Sequence, residues 1–155
     1  MSKLSTSFTL GKASNPHGAN LKHNHRNFLA DNIDMKRIMN NIVYARQDVR
    51  AAYDELFGEA IAQYNAKQTR NDRKICDYYE QIRAGSREEA FYEIIVQFGD
   101  MHTCGVGSEN AEIARKMLDE YMQGFRERNK NLHVFSSTLH LDECEPKYIC
   151  TSTTQ

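Results

Sequence analysis

The segment from residue 90 to residue 141 constrains the fold most strongly, because its pattern changes from strand to helix and back to strand. Residues 90–98 are rich in β-branched and aromatic side chains, which predicts a strand. Residues 109–130 carry apolar side chains at spacings of three and four, which predicts a helix. Residues 132–141 alternate and predict a second strand. We expect the two strands to be neighbours in one sheet, parallel or antiparallel, with the helix across one face.

The remaining patterns add one strand and two helices. Residues 4–10 alternate like a strand, and residues 48–67 form an amphipathic helix pattern with Asp48 as its N-cap. A second helix is predicted for residues 71–83, ended by Gly85. Together these elements predict an α+β fold, in which a partial antiparallel or mixed sheet is covered by helices.

Composition places the chain among ordinary soluble domains. It has 155 residues, of which 40% are hydrophobic and 26% charged, and its net charge of −1 shows no overall basic excess. No segment reaches the ~18 apolar residues of a membrane span, and no signal-peptide pattern is present. The four cysteines lack C-x-x-C spacing, which argues against a zinc ribbon and for free thiols in a reducing compartment. We therefore expect a cytoplasmic location.

One histidine and one glutamate lie near the end of the last predicted strand. His140 and Glu143 are close in sequence, and a strand end is a rigid platform for metal ligands. The segment after Pro146 offers no further imidazole or carboxylate. The pattern therefore indicates half of a metal site.

Three short segments stand in this order along the chain: HNHR at residues 23–26, NIDMKRIMN at residues 32–40 and HLDECEP at residues 140–146. They resemble motifs of the plasmid mobilization/recombination (Mob/Pre, MobV-like) relaxases. HNHR is similar to the H-N-x-R motif near the N-terminus of that family. NIDMKRIMN at residues 32–40 is similar to the motif that follows. HLDECEP at residues 140–146 resembles the first half of the metal motif H-x-D-E-x-x-P-H-x-H.

The resemblance implies a fold of the His-hydrophobic-His (HUH) relaxase type and a metal-dependent endonuclease that nicks single-stranded DNA at a plasmid origin of transfer. Such enzymes stay attached to the 5′ phosphate and use Mn²⁺ or Mg²⁺. It assigns His23 as nucleophile, Arg26 as a phosphate-binding catalytic residue, His140 and Glu143 as metal ligands, and Arg26, Arg37 and Asn40 as DNA contacts. The implied partner is single-stranded DNA.

The sequence departs from the family motif after Pro146, where Lys147 and Tyr148 stand in place of the expected His-x-His. We therefore expect residues 1–146 to form a partial relaxase domain, incomplete at its C-terminus, and residues 147–155 to be a non-family tail. Metal binding should be weak or absent, and nicking impaired. Codons for the residues after Lys147 can, when read two bases later, encode His-Leu-His-Ile-Asp-Tyr-Ala. This match suggests a frameshift.

Several residues have alternative interpretations. Tyr44 is a second candidate nucleophile, although its apolar neighbours favour a packed aromatic side chain. His17 and His25 are predicted to be surface residues. Asp142 is predicted to act behind the ligands or to lie on the surface.

The motif at residues 32–40 also has a structural interpretation, since Asp34, Arg37 and Asn40 have helical spacing and could form a local polar network. The alternative function for the whole chain is a non-catalytic DNA-binding or interaction domain on the same scaffold. Whether the chain is an enzyme is left open by the sequence.

Overall fold

The computed structural model describes residues 5–15, 19–27, 31, 33–100, 102–143 and 147–154. Its strands are β1 (Thr6–Lys12), β2 (Ile42–Arg46), β3 (Tyr92–Phe98), β4 (Leu132–His140) and β5 (Lys147–Thr154). Its helices are α1 (Leu21–Asn24), α2 (Val49–Ala66), α3 (Tyr78–Ala84), α4 (Glu109–Gln123) and α5 (Phe125–Arg128).

The strands form one open sheet in the order β1-β3-β5-β4-β2, and every neighbouring pair is antiparallel. β3 and β4 are each antiparallel to β5, so they run in the same direction and α4 is the crossover between them. The α+β prediction is confirmed. The prediction that β3 and β4 are neighbours is wrong, because β5 lies between them.

The position of β5 follows from its short connection to β4. A strand that reverses after a few residues pairs most readily with the strand it has just left, as an antiparallel hairpin. β5 pairs with β4 from His140–Lys147 to Leu132–Thr154, and its other edge pairs with β3. The segment that was expected to be a tail therefore supplies the central strand of the sheet.

One face of the sheet packs against α4 and α5. The apolar positions of α4 and α5 meet inward-facing residues of β3 and β4 in a core made of Ile94, Val96, Leu118, Met122, Phe125, Val134 and Leu139. Ser108 caps α4 by accepting a hydrogen bond from the Ala111 N–H, and Gly124 separates α4 from α5. The predicted helix at residues 109–130 is thus present but divided.

The other face packs against α2 and α3. Asp48 caps α2 as predicted, accepting hydrogen bonds from the first turn. Ala52 and Tyr53 of α2 and Ile82 of α3 pack with Phe135 of β4 and with Phe91, which directly precedes β3. The predicted helix at residues 71–83 is shorter in the structure, since a 3₁₀ turn precedes α3 and only the second part is α-helical.

β4 carries side chains to both faces and contains an irregularity that matters for the site. Ser137 and Leu139 face α4, as shown by the Ser137 hydroxyl against the Met122 sulfur and by the core position of Leu139. The register with β5 shifts between Val134 and Ser136. The last residue, His140, is fully buried. No helix in the described part of the chain is long and apolar enough to cross a membrane.

Candidate active site and metal centre

The short helix α1 brings the HNHR segment onto the sheet. Asn20 caps it by accepting a hydrogen bond from the His23 N–H at 3.0 Å. Arg26 follows the helix with φ 55°, a left-handed conformation that a residue with a Cβ adopts at a cost of about 1 kcal/mol or more. The chain turns back at this point, which points the Arg26 side chain toward the end of β4.

Arg26 forms the strongest contacts of the site. Its Nε donates to Asp142 Oδ2 at 2.8 Å, and its Nη2 donates to Asp142 Oδ1 at 2.7 Å and to Glu143 Oε1 at 3.0 Å. The exposed fractions of the Arg26, Asp142 and Glu143 side chains are 8%, 0% and 5%, so the ion pairs are shielded from water. Paired, hydrogen-bonded charges of this kind hold both chain segments in one geometry.

Asp142 does not lie on the surface, so that part of its prediction is wrong. Burial by itself raises the pKa of Asp142, but hydrogen bonds involving Arg26, His140 and Asn41 outweigh it and hold the pKa far below the ordinary carboxyl value. Its Oδ1 is 3.7 Å from His140 Nδ1. The sequence contained a signal that Asp142 would lie beside His140, since residues two apart in extended backbone share a face.

His140 is suited to binding a metal ion. The side chain is fully buried, and its Nε2 is the buried side-chain nitrogen or oxygen that lacks a hydrogen-bond partner in the described part of the chain. Its Nδ1 faces Asn41 and Asp142. A carboxylate on one ring nitrogen, with the other left open, is the arrangement found behind metal-binding histidines. The His140 imidazole, with its Nε2 available for coordination, therefore fits a divalent cation.

The number of ligands is short of a complete site. Among the residues that the structure describes, no three His, Cys, Asp or Glu side chains are placed to hold one ion together. Positions 147 and 149 of β5 are paired with His140 and Thr138. They lie opposite the His140 end of β4 and correspond to the two histidine positions of the motif that the segment resembles.

His23 lies beside this centre. Its Nε2 is 3.6 Å from Glu143 Oε1 and 3.1 Å from Arg26 Nη1. Burial, followed by the positive charge of Arg26, lowers the pKa of His23, although Glu143 opposes the shift. The imidazole is therefore neutral at neutral pH, the form in which a ring nitrogen has a lone pair for nucleophilic attack.

Two further contacts fix α1 on the sheet. Asn24 donates a hydrogen bond to Glu93 of β3, and both residues are buried. His25 Nε2 lies 2.8 Å from the Ser136 hydroxyl of β4. His25 was predicted to be a surface residue, but it is half-buried because α1 lies flat on the sheet; His17 lies outside the described residues.

The segment after residue 33 runs along the end of β4. The Asp34 N–H donates to the Asp142 carbonyl at 2.8 Å, and the Arg37 guanidinium donates to Asp34 at 2.9 Å and to the Leu141 carbonyl at 3.1 Å. Asn40 is exposed nearby. The local polar network predicted for Asp34 and Arg37 is confirmed, and the network also reaches the candidate metal centre.

Two other residues clarify the site. Asn41 was not singled out from the sequence, yet its side chain accepts from the Leu141 N–H at 2.7 Å and approaches His140.

Tyr44 packs against the α4 core as predicted and donates a hydrogen bond to Asp119 of that helix. Burial raises the pKa of Tyr44, and Asp119 adds to the shift. Tyr44 therefore belongs to the α4 side of the sheet, away from His23.

The pKa of His25 provides a test of how α1 packs against the sheet. Burial, followed by the charges of Arg46 and His140, lowers the pKa of His25 from 6.5. Below about pH 6.5 the unfolded chain then binds more protons than the folded chain, so the free energy of unfolding falls as pH falls. His25→Gln should weaken this dependence, measured by urea unfolding between about pH 7.5 and pH 5. His102→Gln, at an exposed loop position, is the control. An unchanged dependence in His25→Gln would contradict the burial of this ring.

Comparison with known proteins supports one family. A family model described as a plasmid recombination enzyme (Mob_Pre) matches residues 26–152. Two solved structures of the MobM relaxase domain (MOBV; Mob_Pre), bound to 22 nucleotides of plasmid pMV158 oriT DNA and to Mn, share the fold. Their TM-scores are 0.51 and 0.50 and their identities 21% and 20%; each alignment covers 97% of this chain and 70% of the other. No curated protein sequence matches the chain. The extent of the family match shows that the chain belongs to the Mob_Pre family of plasmid recombination enzymes.

Proposed function

We propose that this chain binds single-stranded DNA at a plasmid origin of transfer and carries the nucleophile and half of the metal site of a strand-specific nicking relaxase. One observation carries the proposal. His23 and Arg26, in the N-terminal motif, meet His140 and Glu143, which lie 114 or more positions later in the chain, at one end of the sheet. A scissile phosphate placed there would be within reach of both groups.

His23 is the proposed nucleophile. Attack by its Nε2 on phosphorus would form an N–P bond and break the P–O3′ bond, so that the 5′ phosphate stays on the histidine and the 3′ oxygen leaves and takes a proton from water. The lowered pKa of His23 keeps the imidazole neutral for this step. Asn20 holds the His23 backbone through its N–H, and Arg26 Nη1 lies against the ring at Nε2.

Arg26 is proposed to position the site and to bind phosphate. Carboxylates occupy its Nε and Nη2, and its Nη1 donates to the His23 carbonyl at 3.0 Å and lies 3.1 Å from His23 Nε2. A phosphate oxygen would therefore bind Arg26 by replacing a contact between Nη1 and His23. Arg37 and Asn40 are proposed DNA contacts on the same side. His140 and Glu143 are the proposed metal ligands, and a divalent cation bound there would polarise the phosphate and neutralise charge that develops on it.

The incomplete ligand set supports an impaired rather than a fully active enzyme. Two protein ligands hold Mn²⁺ or Mg²⁺ weakly, and the family's His-x-His is absent from residues 147–149. The frameshift stays a proposal for the origin of residues 147–155, and the family match, which extends to residue 152, opposes it. The nucleotide sequence of the locus tests it directly. A non-catalytic DNA-binding role on the same scaffold is the second candidate, and it is favoured by the same shortage of ligands.

The function is tested by two measurements on the chain as it is. It should bind a single-stranded oligonucleotide carrying the cognate origin more tightly than the matching duplex, in fluorescence anisotropy. It should not relax a supercoiled plasmid that carries this origin, even with Mn²⁺ present. Robust relaxation would contradict the proposed impairment and would mean that further side chains complete the site. His102, in the loop before α4, is the residue to replace first in that case; His133 lies at the opposite end of β4, beside Gln47.

A further inference from the structure

A cleft opens directly beside the candidate metal centre. It has a volume of about 410 Å³, within the range of small-ligand pockets, and Glu143 forms part of its wall. The other walls come from the 33–41 segment, from the loop before α4, and from α4 itself. We call it the nucleotide cleft and define it by Arg37, Ile42, Val106, Arg115, Leu141 and Glu143.

The nucleotide cleft combines an apolar wall with two arginines. Ile42, Val106 and Leu141 line it, and Val106 is 55% exposed although it is a large aliphatic residue. Arg37 and Arg115 also line it, one from the 33–41 segment and one from α4. An apolar surface next to cationic forks matches the chemistry of a nucleotide, in which a flat base is joined to a phosphate.

Both arginines can donate hydrogen bonds to a phosphate. Arg115 donates through Nε to Glu112 at 3.2 Å, and its two terminal amino groups make no hydrogen bond within the described part of the chain. Glu112 is 65% exposed, so this pair is a weak surface ion pair that a phosphate can replace or share. Arg37 is similarly paired with the half-exposed Asp34. Glu143 forms an ion pair with Arg26, which it shares with Asp142.

We propose that the nucleotide cleft binds one unstacked nucleotide of the single-stranded DNA, next to the phosphate that lies at the candidate metal centre, with Arg115 as a phosphate-binding residue. The proposal rests on the proposed function, because it assumes that DNA reaches His23. It adds a residue from α4, outside the three sequence motifs, to the DNA-binding surface.

The test is the affinity of the 155-residue chain for a fluorescein-labelled, mixed-sequence single-stranded oligonucleotide, measured in EDTA at several salt concentrations. Arg115→Ala should weaken binding about tenfold, and the slope of log affinity against log salt should become shallower by about 0.7, the value for one lost contact to single-stranded DNA. Arg115→Lys should retain most of the affinity. Val106→Asp should weaken binding comparably without changing the thermal unfolding midpoint, because the residue is exposed.

Arg70→Ala is the matched control, since Arg70 also forms a local, exposed ion pair, with Asp72, but lies outside the cleft. It should bind like the unmodified chain. If Arg115→Ala and Arg70→Ala have the same affinity and the same salt slope, the nucleotide cleft is not a DNA subsite, while the proposed function stands. If the unmodified chain does not bind single-stranded DNA, the proposed function fails and the cleft proposal fails with it.

Discussion

Replacing Lys147 and Ile149 with histidine is expected to create a divalent-metal site in this chain. In the antiparallel register, position 147 is paired with His140 and position 149 with Thr138. Directly paired residues share a face of the sheet, and residues two apart on a strand also share one, so both new imidazoles should lie on the His140 side. Three imidazoles and the Glu143 carboxylate make a set suited to Mn²⁺ and similar ions.

The expected effect is large because metal binding adds directly to folding stability. At a free Mn²⁺ concentration one hundred times the dissociation constant, the repaired chain should gain about 2.7 kcal/mol in free energy of unfolding. Thermal unfolding with and without Mn²⁺ measures this gain. The unmodified chain should gain far less. Lys147→Asn with Ile149→Asn is the control, since asparagine is polar and similar in width but provides no imidazole.

Further substitutions in the repaired chain separate the proposed roles. His23→Ala should abolish the covalent protein–DNA adduct and leave Mn²⁺ stabilisation nearly unchanged, because a nucleophile is not a ligand. Glu143→Ala should reduce Mn²⁺ stabilisation first and adduct formation as a consequence. Equal loss of metal binding in both variants would mean that His23 is a ligand. No Mn²⁺ stabilisation in the repaired chain would mean that His140 is not part of a metal site.

The second large effect is expected from Arg26→Ala. The substitution leaves the Asp142 and Glu143 carboxylates buried beside each other without their cation. Breaking a buried ion pair by removing one partner costs about 3–5 kcal/mol. Alanine also has a Cβ, so the strain of the left-handed backbone at φ 55° stays the same in both chains. The free energy of unfolding in urea measures the loss.

Two variants make this result specific to the buried network. Arg26→Lys keeps the charge but not the planar fork that binds Asp142 at two atoms, so it should lose an intermediate amount. Arg70→Ala removes an arginine from an exposed pair and should cost less than about 1 kcal/mol. A loss in Arg26→Ala as small as that in Arg70→Ala would show that Arg26 does not connect α1 to the end of β4.

Local patterns were sufficient for most secondary structure. The helix predicted at residues 48–67 and its Asp48 cap agree with α2, because an amphipathic stripe and a capping side chain act within a few residues of one another. The strand–helix–strand pattern of residues 90–141 agrees with β3, α4 and β4 for the same reason. The helix predicted at residues 71–83 was too long, because its first turn is 3₁₀ and extended backbone separates that turn from α3.

These local patterns could not predict which strands pair with each other in the sheet. Alternation predicts that a segment is a strand, but it does not say which strand becomes its neighbour. The insertion of β5 between β3 and β4 follows from a hairpin formed by residues whose motif departs from the family. The same limit applies to Asn41, which reaches His140 only because β2 pairs with β4.

The sequence by itself determined the family motifs, the α+β class and the residues His23, Arg26, His140 and Glu143 as candidates for chemistry. Only the tertiary structure decided that Arg26 holds Asp142 and Glu143, that His140 is buried with an open Nε2, and that Arg115 of α4 borders the same centre. The physical reason is separation along the chain. Arg26 and Asp142 are 116 positions apart, and contacts over such distances depend on strand order and helix packing rather than on local residue pattern.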